Sequence, residues 1–315
     1  MMRLPDDAKP AAADLSLAAQ STRSRWALLF SGMRPYQWVK NLFVFAPLLF
    51  GRKLTDVEAI ARCAGAAAIF SVLSGAMYLI NDVADAPRDR LHPAKRFRPV
   101  ASGALPARTA LGAGLLLTAA SLAGALWLSP WLLLIVVAYG LLMTAYSAGL
   151  KRVVVLDAML IAAGFVLRVV GGAVAVGVEA SHWLIVCAFL LALYLAFAKR
   201  RQELLLLADE ASHHRSVLAD YSSTYLDQVT NILLGCAIVS YALYTVAPET
   251  VARFGTDRLI YGTAFVIYGL LRYMALIQQG RAGDDPSRTV LTDKPLITAL
   301  AGWALFNAVV IYMAR

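Results

Sequence analysis

From Trp26 onward, apolar stretches follow one another along the chain, each near the length of about 20 residues that carries a helix across a bilayer. Short polar interruptions separate them. The pattern predicts nine helices, at approximately 27–50, 58–82, 107–128, 130–148, 154–177, 182–203, 228–247, 258–279 and 295–313. The narrowest division is Ser129–Pro130, where proline suits the first turn of a new helix and would break an interior. The expected fold is all-α, a polytopic membrane protein with a single transmembrane domain over 26–315. Residues 1–25, rich in Ala, Asp and Ser without an apolar core, are expected to form a disordered tail rather than a signal peptide.

Composition agrees with this pattern. Of 315 residues, 60% are hydrophobic and 16% charged, which excludes an ordinary soluble domain. Cys63, Cys187 and Cys236 fall inside apolar spans without metal-ligand spacing. No internal repeat is visible, which argues against a transporter with an intramembrane ionic site.

Charge then orients the chain. Most of the 29 Lys and Arg lie on the side of the N-terminus. The opposite side holds Arg52, Lys53, Arg62, Arg253, Arg258 and Arg315, with Arg168 and Arg272 inside spans. The positive-inside rule places the N-terminus in the cytoplasm, at the cell membrane, and the C-terminus outside. A net charge of +9 could report this bias alone. Asp82, Asp85, Asp89, Asp157, Glu203, Asp227, Asp284, Asp285 and Asp293 nevertheless share the basic face, which suits a metal-bridged polyanionic substrate. No nucleic-acid partner is expected, and a homo-oligomer is compatible with the sequence.

The second span ends in Asn81-Asp82-Val83-Ala84-Asp85-Ala86-Pro87-Arg88-Asp89. At about 100° per residue, Asn81, Asp85, Asp89 and Asp82 point to about 0°, 40°, 80° and 100°, within one face. Hard oxygen donors at that spacing suit Mg²⁺ shared with substrate phosphate oxygens, although Pro87 could end the helix and displace Asp89. A cationic run follows, including Arg88 and Arg96, whose side chains could hold a leaving diphosphate.

Other candidates carry two readings each. Lys40 and Asn41, early in the first span, could meet a phosphate, or the lysine could snorkel to the interface. Lys199, Arg200 and Glu203 close the sixth span, either as bases oriented by an acid or as a helix-end ion pair. Lys151 and Arg152, beside Asp157, could be anchors on the cytoplasmic face. Arg168, about 16 Å deeper at helical rise, could reach a lipid phosphate or pair with another span.

Three segments together resemble the UbiA superfamily of intramembrane prenyltransferases. They are Arg34-Pro35-Tyr36-Gln37-Trp38-Val39-Lys40-Asn41; the acidic motif with Arg96-Phe97-Arg98-Pro99-Val100-Ala101-Ser102-Gly103 after it; and Tyr146 followed by Lys151-Arg152. The resemblance implies helices around a central cavity, Mg²⁺ held at Asn81, Asp82, Asp85 and Asp89, and a loop carrying Arg215, Tyr221 and Asp227 that covers the site. The opening segment, the acid Asp89 and Lys199-Arg200-Arg201-Gln202-Glu203-Leu204 are similar to members that join phosphoribosyl diphosphate to a polyprenyl phosphate, on the way to lipid-linked arabinose for the cell wall. The aromatic prenyltransferases of the superfamily usually carry a second Asp-rich motif between spans 6 and 7. Here that loop is basic and mixed, so the alternative, transfer of a prenyl group to an aromatic or glycerol phosphate acceptor, fits less well.

Overall fold

A computed structural model describes residues 24–92, 95–207, 220–281 and 285–313. Arg215 and most of the predicted tail lie outside the described residues. Among the described residues every regular element is helical. The helices are α1 (Arg25–Gly32), α2 (Ala46–Phe50), α3 (Val57–Asp89), α4 (Ala107–Leu128), α5 (Pro130–Ala148), α6 (Leu156–Val176), α7 (His182–Leu207), α8 (Ser223–Val246), α9 (Pro248–Phe254), α10 (Thr263–Gln278), α11 (Pro286–Thr292) and α12 (Lys294–Met313).

Eight segments of this set are long and apolar enough to cross a membrane. The exception among the nine predicted spans is the first, because 27–50 is not one α-helix. It divides into α1, a 3₁₀ stretch over Pro35–Phe45, and α2. Arg34 has φ +55° immediately before Pro35, where the proline ring disfavours a helical predecessor. Hydropathy registers only the apolar total, not this break. In α3 the helix runs seven residues past the predicted end, and Pro87 lies inside it. A proline in the last turn removes only one backbone donor, so Asp89 stays helical. The division at Ser129 is as expected: its hydroxyl accepts from the Trp131 N–H at 3.2 Å, and Pro130 opens α5.

The chain packs as two units, one of residues 1–38 and 68–124, the other of 39–67 and 125–315. The core of the first gathers Leu28, Leu79, Ala86, Val100, Leu105 and Ala110. Its 3₁₀ turn over Lys95–Phe97 folds the segment after α3 so that Arg98 returns toward the helix end.

In the second unit, α7, α8 and α10 share a core containing Tyr194, Phe197, Leu226, Tyr273 and Leu276. The 3₁₀ segment lies against α6, where a side-chain carbon added at Gly172 would run into the carbonyl of Val44. Small residues allow such close approach between helical segments in a membrane. Phe43 then stacks edge-on to Phe165, with centroids 4.8 Å apart.

Candidate active site

In the first unit the helical arc places Asp82 and Asp89 in buried positions and leaves Asp85 partly accessible. Asp82 Oδ1 accepts from Arg34 Nη2 at 2.6 Å and from Arg98 Nη1 at 3.2 Å. The same Nη1 donates to Asp89 Oδ2 at 2.6 Å, so one cationic nitrogen bridges two carboxylates. Asn81 Nδ2 donates to Asp85 Oδ2 at 2.9 Å. Arg34 is itself seated over the Tyr78 ring, 4.6 Å from the centroid. Arg88 and Arg96 are exposed nearby in sequence.

Among the described residues no three His, Cys, Asp or Glu side chains stand close enough together to enclose a metal ion. The donor chemistry of Asn81, Asp82, Asp85 and Asp89 still fits Mg²⁺, which takes hard oxygen ligands and usually shares them with substrate phosphates. Arg98 Nη1, lodged between two of the carboxylates, acts as a stand-in for such a cation.

In the second unit Arg200 is almost fully enclosed, with its side chain 1% exposed. Its Nε donates to Asp157 Oδ2 at 2.7 Å and its Nη1 to Glu203 Oε2 at 3.0 Å. The Tyr221 hydroxyl donates to Asp157 Oδ1 at 3.1 Å and accepts from the Val155 N–H at 2.7 Å. Val155 has φ +68°, a strained conformation for a β-branched residue, and this hydrogen bond holds it there. Burial first, then the neighbouring Asp157 carboxylate, pushes the Tyr221 phenol up to about 12.

The depth of Arg168 now has an account. Its Nε donates to Asn41 Oδ1 at 2.7 Å, its Nη1 to the Gly164 carbonyl at 2.9 Å, and its Nη2 to the Tyr139 hydroxyl at 2.7 Å. The guanidinium also lies over the Tyr139 and Phe165 rings. It therefore ties the 3₁₀ segment to α6 and α5. Lys199 meets Asp285 at 3.4 Å, Asp227 takes a bidentate pair from Arg201 at 2.6 and 3.1 Å, and Lys40, Tyr146 and Lys151 are partly accessible while Arg152 is exposed.

Of the partners, Tyr139 is not among the sequence candidates, and Arg34 enters only within the opening motif. Arg98 belongs to the basic run after the acidic motif and Asp285 to the acids on the basic face, but sequence matches neither to its partner.

Eight helical segments long and apolar enough to cross a membrane define a multi-pass membrane protein. The chain belongs to the UbiA prenyltransferase family, whose model matches residues 42–292. It is 34% identical over 285 residues to the decaprenyl-phosphate phosphoribosyltransferase of Mycobacterium tuberculosis, covering 89% of this chain and 93% of that protein. The protein of the same name from Mycolicibacterium smegmatis is 32% identical over 306 residues, covering 93% and 96%. Among solved structures, a UbiA homolog from Archaeoglobus fulgidus bound to DMAPP and Mg²⁺ aligns with a TM-score of 0.68 at 19% identity, covering 92% of this chain and 99% of that one. This last likeness establishes the shared fold.

Proposed function

We propose that the protein transfers the 5-phosphoribosyl group from phosphoribosyl diphosphate to a polyprenyl phosphate, releasing diphosphate. The observation that carries this reading is identity of about one third, along nearly the whole chain, to relatives named for that reaction. The cluster around Asp82 supports it, because acids and arginines interleaved at a membrane helix end suit a metal-bound diphosphate.

Asn81, Asp82, Asp85 and Asp89 would hold Mg²⁺, and the ion when bound would neutralise charge on the diphosphate. Arg34 and Arg98 position these carboxylates and supply fixed positive charge beside the leaving group. As the diphosphate departs, C1 of the ribose gains oxocarbenium character, as in glycosyl transfer generally. The polyprenyl phosphate is already an anion and attacks without a general base. Attack from the face opposite the leaving group inverts that carbon. A long hydrocarbon acceptor and a soluble donor meet only at the membrane interface, so a multi-pass protein is the expected host. The N-terminus and the acidic cluster face the cytoplasm in this reading, with the interrupted first segment completing nine crossings. The product would enter the lipid-linked arabinose route to cell-wall arabinan.

The test is donor choice. Detergent-purified protein with Mg²⁺ and polyprenyl phosphate is incubated with radiolabelled phosphoribosyl diphosphate or with labelled prenyl diphosphate and aromatic acceptors. Ribose label in the lipid fraction is the expected result. Label moving only from prenyl diphosphate would overturn the assignment, and turnover in detergent, where no gradient exists, excludes transport as its source.

A further inference from the structure

Within the first unit, Arg98 stands where the acidic helix end would hold a cation. Its Nη1 lies 2.6 Å from Asp89 Oδ2 and 3.2 Å from Asp82 Oδ1, so one nitrogen donates to both carboxylates at once. The two acids are almost enclosed, with side chains 2% and 6% exposed, whereas that of Arg98 is 26% exposed. The guanidinium can leave into water and the carboxylates cannot. The backbone beneath it is held, its N–H donating to the Lys95 carbonyl and its carbonyl accepting from the Ser102 N–H, both at 2.9 Å. A change of partner at Arg98 is thus a rotation of the side chain about a fixed point. Arg34, the other base on Asp82, is pinned over the Tyr78 ring.

A free divalent ion that reached these acids would have to break two charge-assisted hydrogen bonds, with only water to replace them, and would set a second cation beside the guanidinium. A diphosphate arriving with the ion changes that balance, because its oxygens accept the same N–H groups. We propose that Arg98 is a specificity-determining residue, which bars the acidic helix end to a free divalent cation and admits the cation only together with a diphosphate. The guanidinium passes from Asp82 and Asp89 to the diphosphate oxygens, and its positive charge stays at the site throughout. Cation and diphosphate are then coupled ligands, each raising the affinity for the other by the same factor. The inference rests on the metal and diphosphate reading of this site, and not on which group the diphosphate carries.

The purified protein in detergent is dialysed to equilibrium against radioactive Mn²⁺, a substitute for Mg²⁺, with or without methylenediphosphonate, a diphosphate that cannot be cleaved. Excess label on the protein side is read. The native protein is expected to retain Mn²⁺ at least about tenfold more tightly with the diphosphonate than without it, the worth of a charge-assisted hydrogen bond. Arg98→Gln is expected to bind Mn²⁺ alone about tenfold more tightly than the native protein does, and to gain less from the diphosphonate. Equal affinity of the native protein under the two conditions overturns the proposal, and this comparison needs no variant to fold. An Arg98→Gln protein that binds Mn²⁺ alone no more tightly than the native one overturns it as well. Asp82→Asn separates these failures from failure of the underlying reading: it is expected to lose Mn²⁺ under both conditions, and unchanged retention would place the metal elsewhere and overturn the site itself.

Discussion

Replacing Asp157 by Asn tests how the second unit holds its buried charge. The side chain is 0% exposed and accepts from Arg200 at 2.7 Å and from Tyr221 at 3.1 Å. Asparagine keeps the volume and removes the charge, leaving the enclosed guanidinium with Glu203, whose side chain is 27% exposed and well screened. Breaking a buried pair from one side costs about 3–5 kcal/mol, and the remaining Glu203 contact puts the expected loss near the lower end, about 3 kcal/mol. Glu203→Gln, at the wetter end of the network, is expected to cost about 1 kcal/mol or less. The decisive variant is Asp157→Asn/Arg200→Met. Removing both charges takes away the uncompensated ion, so the double variant should be more stable than Asp157→Asn alone. Reversible unfolding in mixed micelles, followed by helical circular dichroism against denaturing-detergent fraction, gives the four free energies of the cycle. An Asp157→Asn protein within about 0.5 kcal/mol of wild type, or a double variant less stable than that single one, would show that this network does not govern stability and refute the reasoning.

Asp82→Asn and Asp89→Asn are each expected to lower kcat/KM by about tenfold to a hundredfold while the protein still inserts, because each takes a charge-assisted contact from the metal and diphosphate region; chelation should abolish turnover and Mg²⁺ restore it, and near-normal rates in either variant would displace the metal assignment. The raised Tyr221 phenol stabilises the fold fully below its ordinary value near 10, and that contribution disappears as pH rises through about 12. Tyr221→Phe should therefore flatten the loss of stability between those limits, which an alkaline unfolding titration measures. A reporter fused after Arg315 should be accessible from outside and one placed in the loop after α7 should not; finding both on one side removes one of the three spans that follow that loop from the count of crossings.

Much of this architecture is written in hydropathy, because the length of an apolar run is what the bilayer selects: eight of the nine predicted spans appear, two with the predicted ends, 107–128 and 130–148, and six with shifted ones. The first span differs for a reason that averaging conceals. Arg34 turns the backbone to φ +55° and the following residues wind as 3₁₀ helix, yet most of their side chains are apolar. Pro87 misled in the other direction, since its effect depends on how much helix remains after it. In the acidic motif, i,i+4 arithmetic was sufficient to group Asn81 with Asp85, and the hydrogen bond between them follows from it. The arginine partners of Asp82 were beyond such arithmetic, being 48 and 16 positions away along the chain.

Distance in sequence is not by itself what hides a contact. Asp157 and Arg200 are 43 positions apart, yet one lies at the start of α6 and the other near the end of α7, and only residues 177–181 join these two helices. Two membrane helices with so short a connection must run antiparallel, which brings the beginning of the first beside the end of the second. Opposite charge then points to the pair, because Asp157 is the acid in the first turn of α6 and an enclosed guanidinium needs acceptors within reach. The same reasoning does not yield the Arg168 contacts. Neither Asn41 nor Tyr139 carries charge, and Asn41 lies in the 3₁₀ segment that hydropathy reads as ordinary helix. A buried arginine satisfied by an amide, a phenol and a carbonyl leaves no complementary charge in the sequence to point to it; its partners emerge only from the way α5, α6 and the 3₁₀ segment pack.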